Sequence, residues 1–147
     1  MKAKIFFLVC LFFSLGITQL SAQNGKDGTG TISGTDTYAW ELPVYCPDAD
    51  GNLVVTDNLT GTATQHYWQH YLKGVHQRCW GINFGEAASA SGEVFKVKEI
   101  DKVDTFNGLS YVRVNLIGNR GSHYLGTFVY EFETNVLTPL TANCPGN

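Results

Sequence analysis

The sequence predicts an all-β domain: an antiparallel meander of about seven or eight strands, closed as a barrel or folded as a barrel-like sandwich. Three observations predict it. Aromatic and β-branched residues are plentiful from residue 37 onward. Glycine, Asn-Gly and similar turn signals recur every ten to fifteen residues. No window of eleven or more residues carries a 3.6-residue apolar period, so no amphipathic helix is expected. Successive strands joined by short turns favour a meander.

The elements follow in order. Residues 1–22 have the layout of a secretory signal peptide. Lys2 and Lys4 form a basic start, residues 5–17 are almost wholly apolar, and a small polar stretch ends at Ala22. The apolar run falls short of the roughly 20 residues needed to span a bilayer, and no later stretch is long enough either. The chain is therefore expected to be exported, secreted or periplasmic, and the Ser21-Ala22-Gln23 ending has a bacterial character. Residues 23–36 are Gly, Ser, Thr, Asp and Lys around a single Ile32, and read as a flexible leader. Residues 37–147 read as one β domain. The whole chain has 147 residues and a net charge of −3. Without Lys2 and Lys4, eight basic side chains face 13 acidic ones, a net charge of −5. Such a domain is a poor phosphate binder, which argues against nucleic acid as a partner.

Within the domain, residues 38–45 are a first strand, ended by Pro47 and the turn residues after it. Residues 53–56 form a short strand that can run into the next, 61–72. Lys73-Gly74 turns the chain into 75–84. Residues 86–91 admit one helical turn, which Gly92 stops. Residues 94–100 follow, and Asn107-Gly108 is a hairpin signal. Then come 109–117, a five-residue loop 118–122, 124–133, and a weaker last strand 136–141. That loop length sets Leu116 opposite Tyr124 and Val112 opposite Phe128, apolar against apolar; a slip by one would set Val112 against Thr127. Val112, Val114 and Leu116 are therefore expected in the core, with Tyr111, Arg113 and Asn115 facing away.

Export implies an oxidising space in which a disulfide persists. Outside the leader stand Cys46, Cys79 and Cys144, enough for one bridge. Cys46 with Cys144 is the favoured pair. Each precedes a proline, hence an extended or turn segment, and each lies at an edge of the folded region. Cys79, inside a strand, reads as a small buried apolar residue, with a bridge to either partner as the alternative. No C-x-x-C spacing suggests zinc, and neither a metal nor a cofactor is expected.

Chemistry concentrates in residues 66–80, which hold three of the four histidines. A three-residue loop 72–74, with Gly74 at positive φ, would pair His70 with His76 and Trp68 with Arg78. One face then carries His66, Trp68, His70, His76, Arg78 and Trp80. A two-residue Lys73-Gly74 loop would instead pair Tyr71 with His76 and split the histidines between faces. The first register gathers the polar-tipped rings, and its face is the candidate ligand-binding surface. Flat rings beside Arg and His donors suit sugars or amphipathic small molecules. Cross-strand packing, with Trp68 over Arg78, explains the same residues without a ligand. No Ser-His-Asp spacing or paired carboxylates point to catalysis, and no catalytic residue is expected. The expected function is a non-catalytic binding or interaction module for a small molecule or glycan; the alternative is a small barrel enzyme, an isomerase, cyclase or hydrolase, using His70 or His76. Asp48-Ala49-Asp50-Gly51-Asn52 has the start of a calcium loop but the wrong glycine position, and reads as a solvated turn.

Several scattered segments carry a resemblance. They are the cysteine and turn from Cys46 to Gly51, Leu59-Thr60-Gly61-Thr62, Gly74-Val75-His76, Ser91-Gly92-Glu93-Val94-Phe95, Asn115-Leu116-Ile117-Gly118, and Cys144 near the end. In these the chain resembles a loose group of small secreted bacterial all-β proteins of uncharacterised function. The resemblance implies a single β domain with its terminal cysteines paired. It supplies no active residues and no counterpart for Cys79.

Overall fold

The computed structural model describes residues 28–145; the expected signal peptide and residues 23–27 lie outside them. Seven strands follow in order: β1 Gly30–Pro47, β2 Leu53–Leu72, β3 Val75–Ala88, β4 Val94–Asp104, β5 Leu109–Gly118, β6 His123–Glu131 and β7 Val136–Asn143. They form one antiparallel sheet in sequence order, the meander that the turn spacing predicts. The described residues contain no helix, and so none long and apolar enough to cross a membrane.

The sheet curls without closing. β1 and β7 come into contact, but each pairs only with its sequence neighbour. The Cys46–Cys144 disulfide, with Cα atoms 5.9 Å apart, ties them at one end. This is the pairing favoured from the sequence. Cys79 is fully buried in β3 and is not a free thiol.

Three elements differ from expectation. β1 begins at Gly30, so residues 30–36 are strand rather than flexible leader. They pair with residues 65–71 of β2, Gly30 opposite Tyr71 and Asp36 opposite Gln65. The segment is poor in apolar residues because only one side of it faces the core. Ile32 is buried, while Thr31 and Thr35 turn their hydroxyls to His70 and His66 on the other side. β2 is continuous from Leu53, and β3 runs on to Ala88 through part of the expected helical turn.

Period-two alternation sorts every strand into an inner face, enclosed by the curl, and an outer face. Trp40, Leu42 and Val44 of β1 meet Val112, Val114 and Leu116 of β5 and Phe128 of β6 in one apolar cluster. The β5–β6 register is the expected one, Leu116 opposite Tyr124 and Val112 opposite Phe128. Between β2 and β3 the backbones approach closely. A Cβ on Gly61 would strike the Glu86 carbonyl oxygen, and one on Gly85 the Thr62 carbonyl oxygen. The loop before β4 is locked by Glu93, whose carboxylate accepts from the Arg120 amide at 3.1 Å and the Ser122 hydroxyl at 2.8 Å.

Candidate functional site

The β2–β3 hairpin positions the residues singled out in the sequence. Its turn has two residues, not three: Lys73 and Gly74 both adopt positive φ, at 49° and 77°. Two consecutive positive φ values match the right-handed twist of the flanking strands, which a three-residue loop meets less directly. The start of the described chain fixes this turn. Thr29 Oγ1 accepts from the Lys73 amide and the Gly28 carbonyl from the Gly74 amide, both at 3.0 Å. Tyr71 consequently pairs with His76, and a bulge at the next residue sets His70 opposite Arg78 and Trp68 opposite Trp80.

The expected face therefore loses one member. His66, Trp68, His70, Arg78 and Trp80 share the outer face, but His76 does not. It stacks on buried Tyr71 with ring centroids 5.0 Å apart, on the inner face. The outer residues are largely engaged with the sheet itself. Trp68 and Trp80 stack on each other at 6.4 Å and 18°. His66 and His70 bond to the Thr35 and Thr31 hydroxyls at 3.1 and 3.2 Å. Among the described residues no three His, Cys, Asp or Glu side chains gather as a metal site. The Asp48–Asn52 turn spends its carboxylate oxygens on its own chain, accepting from the Asp50 and Asn52 amides.

The inner face holds a second constellation that the sequence reading passed over. Along β4, Phe95, Val97, Glu99, Asp101 and Val103 alternate with Lys96, Lys98, Ile100 and Lys102. The first set is buried and the second exposed, so two acids stand where apolar residues are expected. The signal was available: both acids share the parity of Phe95 and Val97, and the lysines take the other. Asn83 of β3, fully buried, joins them. Its Nδ2 donates to Glu99 Oε1 at 2.6 Å and Asp101 Oδ2 at 2.8 Å, and its Oδ1 accepts from the Tyr38 hydroxyl at 2.9 Å.

Burial dominates the electrostatics of this group. It pushes Glu99 up to about 7, against the pull of the Asn83 hydrogen bond. Burial and the neighbouring Glu99 charge raise Asp101 well above the usual carboxylate range. The two carboxyls titrate as a coupled pair, and burial favours the protonated form of each. Burial, then these carboxylates, raise the Tyr38 hydroxyl too, so it stays a donor. Among the described residues no cation offsets either acid, because the lysines of β4 project from the opposite face.

A small cavity of about 30 Å³ adjoins the pair, lined by Trp40, Leu42, Glu99, Asp101, Val112 and Phe128 among others. The Trp40 indole N–H, on a residue only 5% exposed, has no hydrogen-bond partner. Five more inner-face atoms share that condition: Gln65 Oε1, Gln69 Nε2, His76 Nε2, Asp101 Oδ1 and Ser110 Oγ. Burial holds the His76 imidazole below its ordinary pKa, so near neutral pH it is uncharged, with one donor and one acceptor nitrogen. Comparison with protein-family models, with curated proteins and with solved structures finds no match to this chain, and its chemistry is therefore read from these residues alone.

Proposed function

We propose that this protein is an exported binding domain that holds a small hydroxylated molecule, such as a sugar, against the inner face of its sheet. One observation carries the reading: six buried polar atoms without a partner all lie on that face. Native proteins pair nearly all buried polar groups, and leaving one unpaired costs about 1–3 kcal/mol. The set mixes donors with acceptors, which is what hydroxyl groups satisfy. Gln65, Asn83 and Glu99 lie in one row across three strands, about 10 Å at the usual strand spacing, and Gln69 stands four residues further along β2, about 13 Å away. The expected signal peptide and the Cys46–Cys144 bridge both fit an oxidising compartment outside the cytoplasm.

A second reading keeps the site on the outer face, where the Trp68–Trp80 stack offers ring surface to a sugar. Saturation-transfer NMR with a panel of mono- and disaccharides separates the two. The inner-face reading expects binding by the wild type and by Trp68→Phe/Trp80→Phe, and loss in Gln65→Leu/Ser110→Ala. Binding lost in the tryptophan pair and kept in the other transfers the site to the outer face. No saccharide binding at all overturns both.

A further inference from the structure

Glu99 and Asp101 pose a question that hydroxyl binding alone leaves open: what balances two carboxyls buried together? Buried charges are paired or neutralised. Here the described residues provide no cation; the Asn83 amide donates to both acids, and burial raises both toward the protonated form. Around the pair, β1 contributes Tyr38, Trp40 and Glu41 with Asp36 nearby; β3 contributes Asn83; β5 and β6 contribute Val112, Val114 and Phe128. Every titratable group in that set is acidic or a neutral phenol. The adjoining cavity, about 30 Å³, admits a group the size of one water molecule. An ammonium has that size and a guanidinium does not. A calcium ion wants six to eight oxygens and finds two carboxyls and an amide that presents its N–H side.

We propose that this cavity receives a primary ammonium group, held by Glu99 and Asp101, while an adjacent oxygen of the same ligand accepts from the Trp40 indole N–H. This rests on the inner-face reading above and narrows its ligand to a vicinal amino alcohol of sugar size, an amino sugar. Trp40 supports it independently of the acids. Its unpartnered donor belongs to another strand and lines the same cavity, and it calls for an acceptor beside the cation. Binding is an exchange. The ligand N–H groups donate to both carboxylates, and the proton that burial keeps on the pair leaves to solvent. No bond to carbon forms or breaks.

Isothermal titration at about pH 6.5 tests this with glucosamine, glucose and N-acetylglucosamine, in two buffers of different ionisation enthalpy. Glucosamine is expected to bind at least about tenfold more tightly than the two neutral sugars, with net proton release. Glu99→Gln/Asp101→Asn, checked for an intact thermal transition, is expected to abolish both the preference and the release; Glu99→Gln alone serves if the double variant does not fold. Equal binding of all three sugars overturns the ammonium assignment and leaves the inner-face reading standing. A glucosamine preference that survives the amide substitutions, or that releases no proton, overturns the placement at Glu99 and Asp101. Binding of none of the three by the wild type overturns the amino-sugar assignment, and the wider saccharide panel then decides the inner-face reading on its own.

Discussion

Glu99 holds a proton in the folded state at a pH where an unfolded chain has lost it. Burial is the main cause, and it puts Glu99 at about 7 against a usual value of 4.5. The native state then binds more protons than the unfolded state between those values, so stability falls as pH rises through that window. The thermal midpoint is expected to be lower at pH 8 than at pH 5 by several degrees, and Glu99→Gln to flatten the slope. Circular-dichroism melts across that range check it; a midpoint that rises toward pH 8 contradicts the buried pair. Glu93 acts in the opposite sense. Burial pushes it up, but hydrogen bonds from Ser122 and Arg120 outweigh this and hold it low, so its contribution is lost in acid. The unpartnered atoms give a second expectation. Ser110 is fully buried with an unsatisfied hydroxyl, so Ser110→Ala is expected to stabilise the fold by about 1 kcal/mol, read as a higher urea midpoint. A large loss of stability would mean that the hydroxyl has a structural partner.

At the scale of elements, the approach of β2 to β3 sets the curl of the sheet. Gly61 faces Ala87, and Ala63 faces Gly85, at places where a Cβ would meet backbone. Gly61→Ala is expected to cost about 2–3 kcal/mol, since backbone and not a flexible side chain must give way; a denaturant midpoint near that of the wild type would contradict the close approach. Where the strands lie was largely legible, because alternation and turn residues are local. Leu116 and Phe128 announced the β5–β6 register through their own hydrophobicity. The β2–β3 register was not legible, because Lys73 and Gly74 fit either loop length and the deciding bonds come from Gly28 and Thr29, more than forty residues away in sequence. Residues 30–36 escaped for a related reason: their strand character comes from the partner β2, not from their own composition. The carboxyl pair was legible in the parity of β4, but its meaning needs Asn83, Tyr38 and Trp40, which only the curl brings together.

For the whole molecule, the seam between β1 and β7 is the weak point of the architecture. No strand pairing closes it, and the Cys46–Cys144 bridge spans 98 residues of sequence. In the chain-entropy model a loop of that length is worth about 4–5 kcal/mol. Cys46→Ala/Cys144→Ala is expected to lose most of that in equilibrium unfolding, and a loss below about 1 kcal/mol would mean that the seam holds by packing alone. An unclosed sheet also gives the inner face its role. Apolar residues fill it toward the disulfide, while Gln65, Gln69, Asn83 and Ser110 leave polar atoms on the same face, several of them unanswered by the protein. The fluorescence of Trp40 reports on that face most directly. In Trp68→Phe/Trp80→Phe it is the sole tryptophan of the chain. Titration with glucosamine is expected to change its emission saturably, at the concentration where calorimetry shows binding. Emission that stays constant while a sugar demonstrably binds would place the ligand elsewhere and contradict the account.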